Sequence, residues 1–206
     1  MRHSVFILLL LITTTLAGQT AKDADKERER LKGASFPKPI KKMRILFFSD
    51  TKKKDTIILT IPIGSISKSS SSLIIKTADN RTIFSENFRT DYFVRGVFEP
   101  DTTPQGGHEI YDAYMNKYIT SLTKSKIEVY AKTEINSFLK DFTVSKKELK
   151  QAKSYGALVD KGLYKTIIAN PNSKVIWLPC FDCDEGVRYF GYSTKRAKAV
   201  QFLETD

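Results

Sequence analysis

Histidine and cysteine are scarce in this chain of 206 residues, two of each, and tryptophan occurs once, at Trp177. With His3 close to the N-terminus, His108 is the histidine left for any histidine-dependent triad, and no Gly-x-Ser-x-Gly elbow accompanies it. Phosphate loops are missing as well, because Gly106-Gly107 stands alone with no Gly-Lys-Ser/Thr behind it. No repeat recurs at solenoid or propeller periods. Two cysteines exclude a fold stapled by many disulfides, and at 41% apolar residues none is required, since the chain is long enough to bury a core. Arginine is heavily outnumbered by lysine and no aromatic platform interleaves Lys52-Lys53-Lys54, so no specific nucleic-acid partner is expected.

What is present begins with an address. Met1-Arg2-His3 is a short positive segment, Val5 to Ile12 is unbroken and apolar, and Leu16-Ala17-Gly18 is a small-residue cleavage site, which together predict a secretory signal peptide over 1–18 removed near Ala17 to Gly18. The apolar run is short of the about 20 residues a membrane-spanning helix needs, so no transmembrane anchor is expected. Leu16-Ala17-Gly18 also resembles a lipobox, but Gln19 stands where a lipid anchor requires a cysteine sulfur. The expected product is exported and soluble, periplasmic or extracellular.

The net charge is +11, and without residues 1–18 the remaining 188 residues keep +10. It is unevenly spread: twelve Lys/Arg stand against six Asp/Glu from Gln19 to Thr56, and eleven against six from Tyr111 to Asn170. Such a chain adheres to anionic lipid headgroups or acidic polysaccharide by screened attraction, so an anionic envelope polymer or a protein partner suits it; an ordinary solvated lysine surface accounts for the same charge.

Mixed charges from Ala21 to Lys32, followed by Gly33, Pro37 and Pro39, predict a flexible tether over 19–40 ahead of one α+β domain over 41–206, with a β-rich half (41–100) and an α+β half (101–206) as its natural subdivision. Arg44–Ser49, Thr56–Ile61 and Leu73–Thr77 read as strands, Ala78–Arg81 as a turn and Thr82–Phe84 as the start of the partner strand, with a further apolar segment at Tyr92–Phe98. Asp101–His108 reads as a loop. Ile110, Tyr111, Tyr114, Met115, Tyr118, Ile119 and Leu122 recur at helical spacing, whereas Ile127, Val129 and Ala131 alternate like a strand over Lys126–Thr133. The tyrosine stripe suits either packing on a sheet or the wall of a sugar groove. Ser145-Lys146-Lys147-Glu148 is a capping box, so a helix carrying Leu149, Ala152, Tyr155 and Val159 on one face should follow and end at Gly162. Lys174–Leu178, Val187–Ser193 and Ala199–Leu203 close the chain as strands. Strands, then two amphipathic helices, then strands predict an α+β fold with a mainly antiparallel sheet.

The densest group of chemically capable residues is Trp177 to Gly186, which holds Cys180 and Cys183 with Asp182, Asp184 and Glu185 around them. Export favours a local disulfide across a hairpin turn. A dithiol oxidoreductase is the alternative, opposed by acidic neighbours that raise a thiol pKa and by strand-like sequence where a helix N-terminus is needed. As a metal site the pair supplies half of a zinc tetrahedron, with distant His108 as the next ligand, and Asp182 to Gly186 echoes a calcium loop whose glycine falls one place early. No cofactor is expected. A hydrolase using two facing carboxylates leaves no sequence signature and stays open. The segment is therefore read as a binding element, with Trp177, Asp182, Asp184 and His108 as its candidate contacts, in an exported binding or envelope-associated module without an assembled catalytic site.

If the cysteine pair is a local clamp, replacing Cys180 and Cys183 together with serine should cost about 2 kcal/mol or less by urea unfolding, because so small a ring removes little chain entropy.

Overall fold

The computed structural model describes residues 31, 33–98, 107–140, 142–181 and 186–205. Residues 1–30, which contain the predicted signal and most of the tether, lie outside them. In chain order the strands are β1 (Ser35–Phe36), β2 (Ile40–Leu46), β3 (Asp55–Ile61), β4 (Gly64–Ser65), β5 (Ser70–Lys76), β6 (Thr82–Arg89), β7 (Thr143–Val144), β8 (Ala157–Leu158), β9 (Val175–Pro179), β10 (Val187–Ser193) and β11 (Lys198–Thr205). A 3-10 helix, Thr90–Phe98, follows β6, and the α-helices are α1 (His108–Ser121), α2 (Lys124–Phe138), α3 (Lys146–Tyr155) and α4 (Lys161–Ala169). The fold is α+β, as its sequence predicts. All strand pairings are antiparallel, in a sheet of order β2-β3-β5-β6, a second of order β7-β9-β10-β11-β8, and the small β1-β4 pair.

Period-two alternation builds the first sheet. Ile57, Leu59 and Ile61 on β3 and Leu73 and Ile75 on β5 are fully buried on one face. Asp55 is buried too, and its carboxylate accepts the backbone N–H groups of Phe48 and Ser49 and the Ser49 hydroxyl, which fixes the chain leading into β3. The packed chain begins earlier than the expected Lys41: Leu31, Ala34 and Phe36 are buried and β1 pairs with β4. These three apolar residues sit among charged ones, and tertiary burial outweighs the loop-like composition.

The two sheets meet through β6. Phe84, Glu86 and Phe88 share one face of that strand by period two. Phe84 packs edge-on against Phe190 of β10 at 5.2 Å, Glu86 pairs with Arg188 of β10 at 2.7 Å, and Phe88 stacks on Phe181, just beyond β9, at 3.8 Å. One apolar core thus draws residues from Leu31 to Ala199, and a second, smaller cluster joins Leu149, Ala152, Ile167, Val175, Tyr189, Phe202 and Leu203 under α3 and α4.

Three expectations are corrected. Lys126–Thr133 is not a strand but the body of α2. Ile127, Ala131 and Ile135 recur every four residues and are buried, while Val129 is 63% exposed, so the alternation read over a short window was one part of a helical pattern. Thr123 caps this helix by accepting the Lys126 N–H. The capping box of α3 is present as expected, but the helix ends at Gly156, and Tyr155 and Val159 are exposed. A Cβ on Gly156 would meet the Glu204 carbonyl of β11 at 2.5 Å, so close approach to that strand claims the glycine; Gly162 lies inside α4, capped by Asp160. The tyrosine stripe does not pack on a sheet either. No described side chain of α1 is buried, Tyr114 and Tyr118 stack on each other, and the Tyr118 hydroxyl donates to the Val97 carbonyl at 2.9 Å.

Substituting Val129 with lysine should leave stability within about 0.5 kcal/mol, whereas Ile135→Ala should cost about 2–5 kcal/mol, measured by denaturant unfolding. Equal costs would return this segment to a strand.

Candidate functional site

A cleft of about 520 Å³ lies between the 3-10 helix, α2 and the chain on either side of the β9–β10 turn. Tyr92, Phe93, Arg95 and Gly96 come from the 3-10 helix, Tyr130, Glu134, Ser137 and Phe138 from α2, and Trp177, Pro179, Cys180 and Gly186 from the β9–β10 region. Each element presents these residues for a local reason. Tyr130, Glu134 and Ser137 stand three or four places apart, hence on one face of α2. Trp177 and Pro179 alternate with Leu178, which points into the core at 0% exposure. Gly186 has φ +117°, a conformation suited to glycine, and its carbonyl accepts the Cys180 N–H at 2.9 Å, closing the turn.

The floor is aromatic. Tyr92 meets Phe88 at 6.1 Å, Phe93 at 5.6 Å and Phe181 at 4.9 Å, in each case edge to face. Phe93 in turn meets Phe138 at 5.5 Å. The Arg95 guanidinium lies 5.4 Å from the Tyr92 ring centroid and donates to the Phe181 carbonyl at 3.0 Å. Gly96 lies close against Tyr130: a Cβ there would collide with the Tyr130 hydroxyl and displace that ring. Burial pushes the Tyr92 hydroxyl above its ordinary value of 10.0; the Arg95 charge pulls it back and Glu134 adds to the rise.

Of the residues singled out from sequence, Trp177 and Cys180 are brought together here, both half-buried. Asp182, Cys183 and Asp184 lie outside the described residues. His108 opens α1, and its side chain is outside them too. Among the described residues no group of three or more His, Cys, Asp or Glu is arranged to hold a metal ion. The described lining holds one carboxylate, that of Glu134, and one fixed cation, Arg95. Tyr92, Arg95, Tyr130 and Glu134 were not among the sequence candidates. The available signal is an arginine and a glycine inside the apolar segment Tyr92–Phe98, facing Tyr130 of the segment Lys126–Thr133 and Glu134 just after it, one helical turn apart.

Flat aromatic walls with one guanidinium and one carboxylate can stack the apolar face of a ring and hydrogen-bond its substituents. Neutral Tyr92 is favoured by the fold, so its contribution to stability is complete below about pH 10 and is lost as pH rises through its higher folded value. Tyr92→Phe should flatten that alkaline loss, followed by urea unfolding at successive pH values; an unchanged pH dependence would show that Tyr92 is not the group responsible. No family model, characterised protein or solved structure matches this chain.

Proposed function

We propose that this chain is an exported binding module whose ligand enters the cleft between Tyr92, Tyr130 and Trp177. The observation that carries the reading is the composition of that cleft: aromatic faces from three separate elements converge around Arg95 and Glu134. A ring with an apolar face and acidic or hydroxyl substituents, such as an acidic sugar, meets each of these groups. Its face stacks on the rings, its carboxylate pairs with Arg95 and its hydroxyls donate to Glu134. The predicted signal peptide and the basic charge agree with a ligand drawn from an anionic envelope polymer. In this reading Cys180 and Cys183 are bridged and clamp the turn that carries one wall.

A second reading rests on one specific observation, that Cys180 lines the cleft beside Trp177. In a thiol-disulfide protein that sulfur would exchange with a substrate held on the aromatic walls. Alkylation of the native protein before and after reduction separates the two, since a structural bridge takes up label only once reduced.

Trp177 is the sole tryptophan, so its emission reports on the cleft directly. Titration with an oligogalacturonate should give a saturable change in that emission, and Arg95→Ala should weaken it by about tenfold or more, the worth of a charge-assisted hydrogen bond. Emission that does not saturate, or an Arg95→Ala variant that binds as tightly as the parent chain, would overturn the proposal.

A further inference from the structure

The outer face of the first sheet lies apart from the cleft and has a character of its own. Cross-strand register places Met43, Ile58, Ile74 and Ser85 in one row. Ile45, Thr56 and Lys76 form the next row, and Lys41, Thr60, Ser72 and Asn87 the one on the other side. These residues alternate with the buried Ile57, Leu59, Leu73 and Ile75, so they look away from the core. Met43 is 58% and Ile45 62% exposed, on an edge strand, and Phe47 just beyond it is exposed as well. Single exposed apolar residues need no explanation; a contiguous row backed by two half-buried isoleucines does.

Basic residues accompany the row. Lys41 and Lys76 belong to the face itself, and exposed Lys52, Lys53 and Lys54 occupy the β2–β3 connection at the Phe47 end, with the Lys54 ammonium 5.7 Å from the Phe47 ring. Nearby acids offset them only in part. Asp55 is buried in its own hydrogen bonds, and Asp50 accepts the backbone N–H groups of Lys52 and Lys53. Exposed Asp50 acts on Lys52 and Lys53, and Asp79, in the β5–β6 turn, acts on Lys53, so two acids stand against the five lysines of this region.

We infer that this face is the surface on which the protein rests against an anionic lipid bilayer, with Met43, Ile45 and Phe47 entering the headgroup boundary and the lysines meeting lipid phosphates. The pattern discriminates among occupants. A second copy docked face to face would bring Lys41 and Lys76 against like charges. A soluble polyanion would satisfy the lysines and leave the apolar row in water. A bilayer interface accepts both, as it does for surface helices that carry lysines around an apolar face.

Co-sedimentation of the natively processed chain with vesicles tests this. Phosphatidylglycerol mixed into phosphatidylcholine should retain the protein far better than phosphatidylcholine alone. The double substitution Met43→Ser with Ile45→Ser should weaken retention by about tenfold or more, and Lys52→Gln with Lys53→Gln and Lys54→Gln by a similar factor. Both variants change exposed positions, so their thermal midpoints should match the parent. On immobilised heparin the lysine variant should elute early and the apolar variant should elute with the parent. The inference fails if the parent does not prefer the anionic vesicles, if the apolar variant binds them as the parent does, or if it loses heparin and vesicle binding alike, which would make the face a polysaccharide site.

Discussion

Phe181 lying flat on Phe88 is the contact through which the two sheets and the cleft depend on one another. Their ring centroids are 3.8 Å apart with planes 7° from parallel. Ring quadrupoles favour offset stacking over full face-to-face overlap, and positive potential nearby eases a pair this close. The Arg188 guanidinium supplies it, 5.8 Å from the Phe181 centroid, while Tyr92 stands perpendicular beside both rings, 4.9 Å from Phe181 and 6.1 Å from Phe88. Arg188 also holds Glu86 and donates to the Pro179 carbonyl at 3.1 Å. Sheet packing, ion pair and ring stack therefore share one set of residues. Phe181 also serves the cleft, through its perpendicular contact with Tyr92 and through the carbonyl that anchors Arg95. A cleft wall fixed to an inter-sheet contact is pre-organised by the packing of both sheets.

Legibility followed the range of the interactions. The strands of the first sheet were readable because their burial alternates within five to eight residues, and the α3 capping box because both of its hydrogen bonds close within four. Lys126–Thr133 misled because Ile127 and Ala131 satisfy a period of two and a period near four equally well; Ile135 and Val129 decide between them only when the window is widened. Gly156 and Gly162 are equivalent as sequence. What separates them is the β11 backbone lying against Gly156, nearly fifty residues further along the chain. The candidate site divides in the same way. Trp177 and Cys180 stood out by local concentration of unusual residue types, whereas Tyr92, Arg95, Tyr130 and Glu134 are unremarkable in sequence and acquire meaning through the packing of α2 on the 3-10 helix.

Charge was legible as composition and not as placement. The Lys-rich stretch before β3 reads as a solvated surface, and in the fold it borders an uncovered sheet face that also carries Met43 and Ile45. Arg44, from the same stretch, does something else: its guanidinium donates to the carbonyls of Leu139 and Lys140 at the end of α2, tying that helix to the edge of the sheet. Cations of one cluster are thus divided between fastening the scaffold and facing outward.

A double-mutant cycle at Phe88 and Phe181, each replaced by leucine to keep apolar volume, tests the central contact most directly. Coupling of about 0.5–1.5 kcal/mol between the two substitutions in denaturant unfolding is the predicted result. Costs that add to within about 0.3 kcal/mol would mean that the rings act independently and that the cleft is not built on their stack.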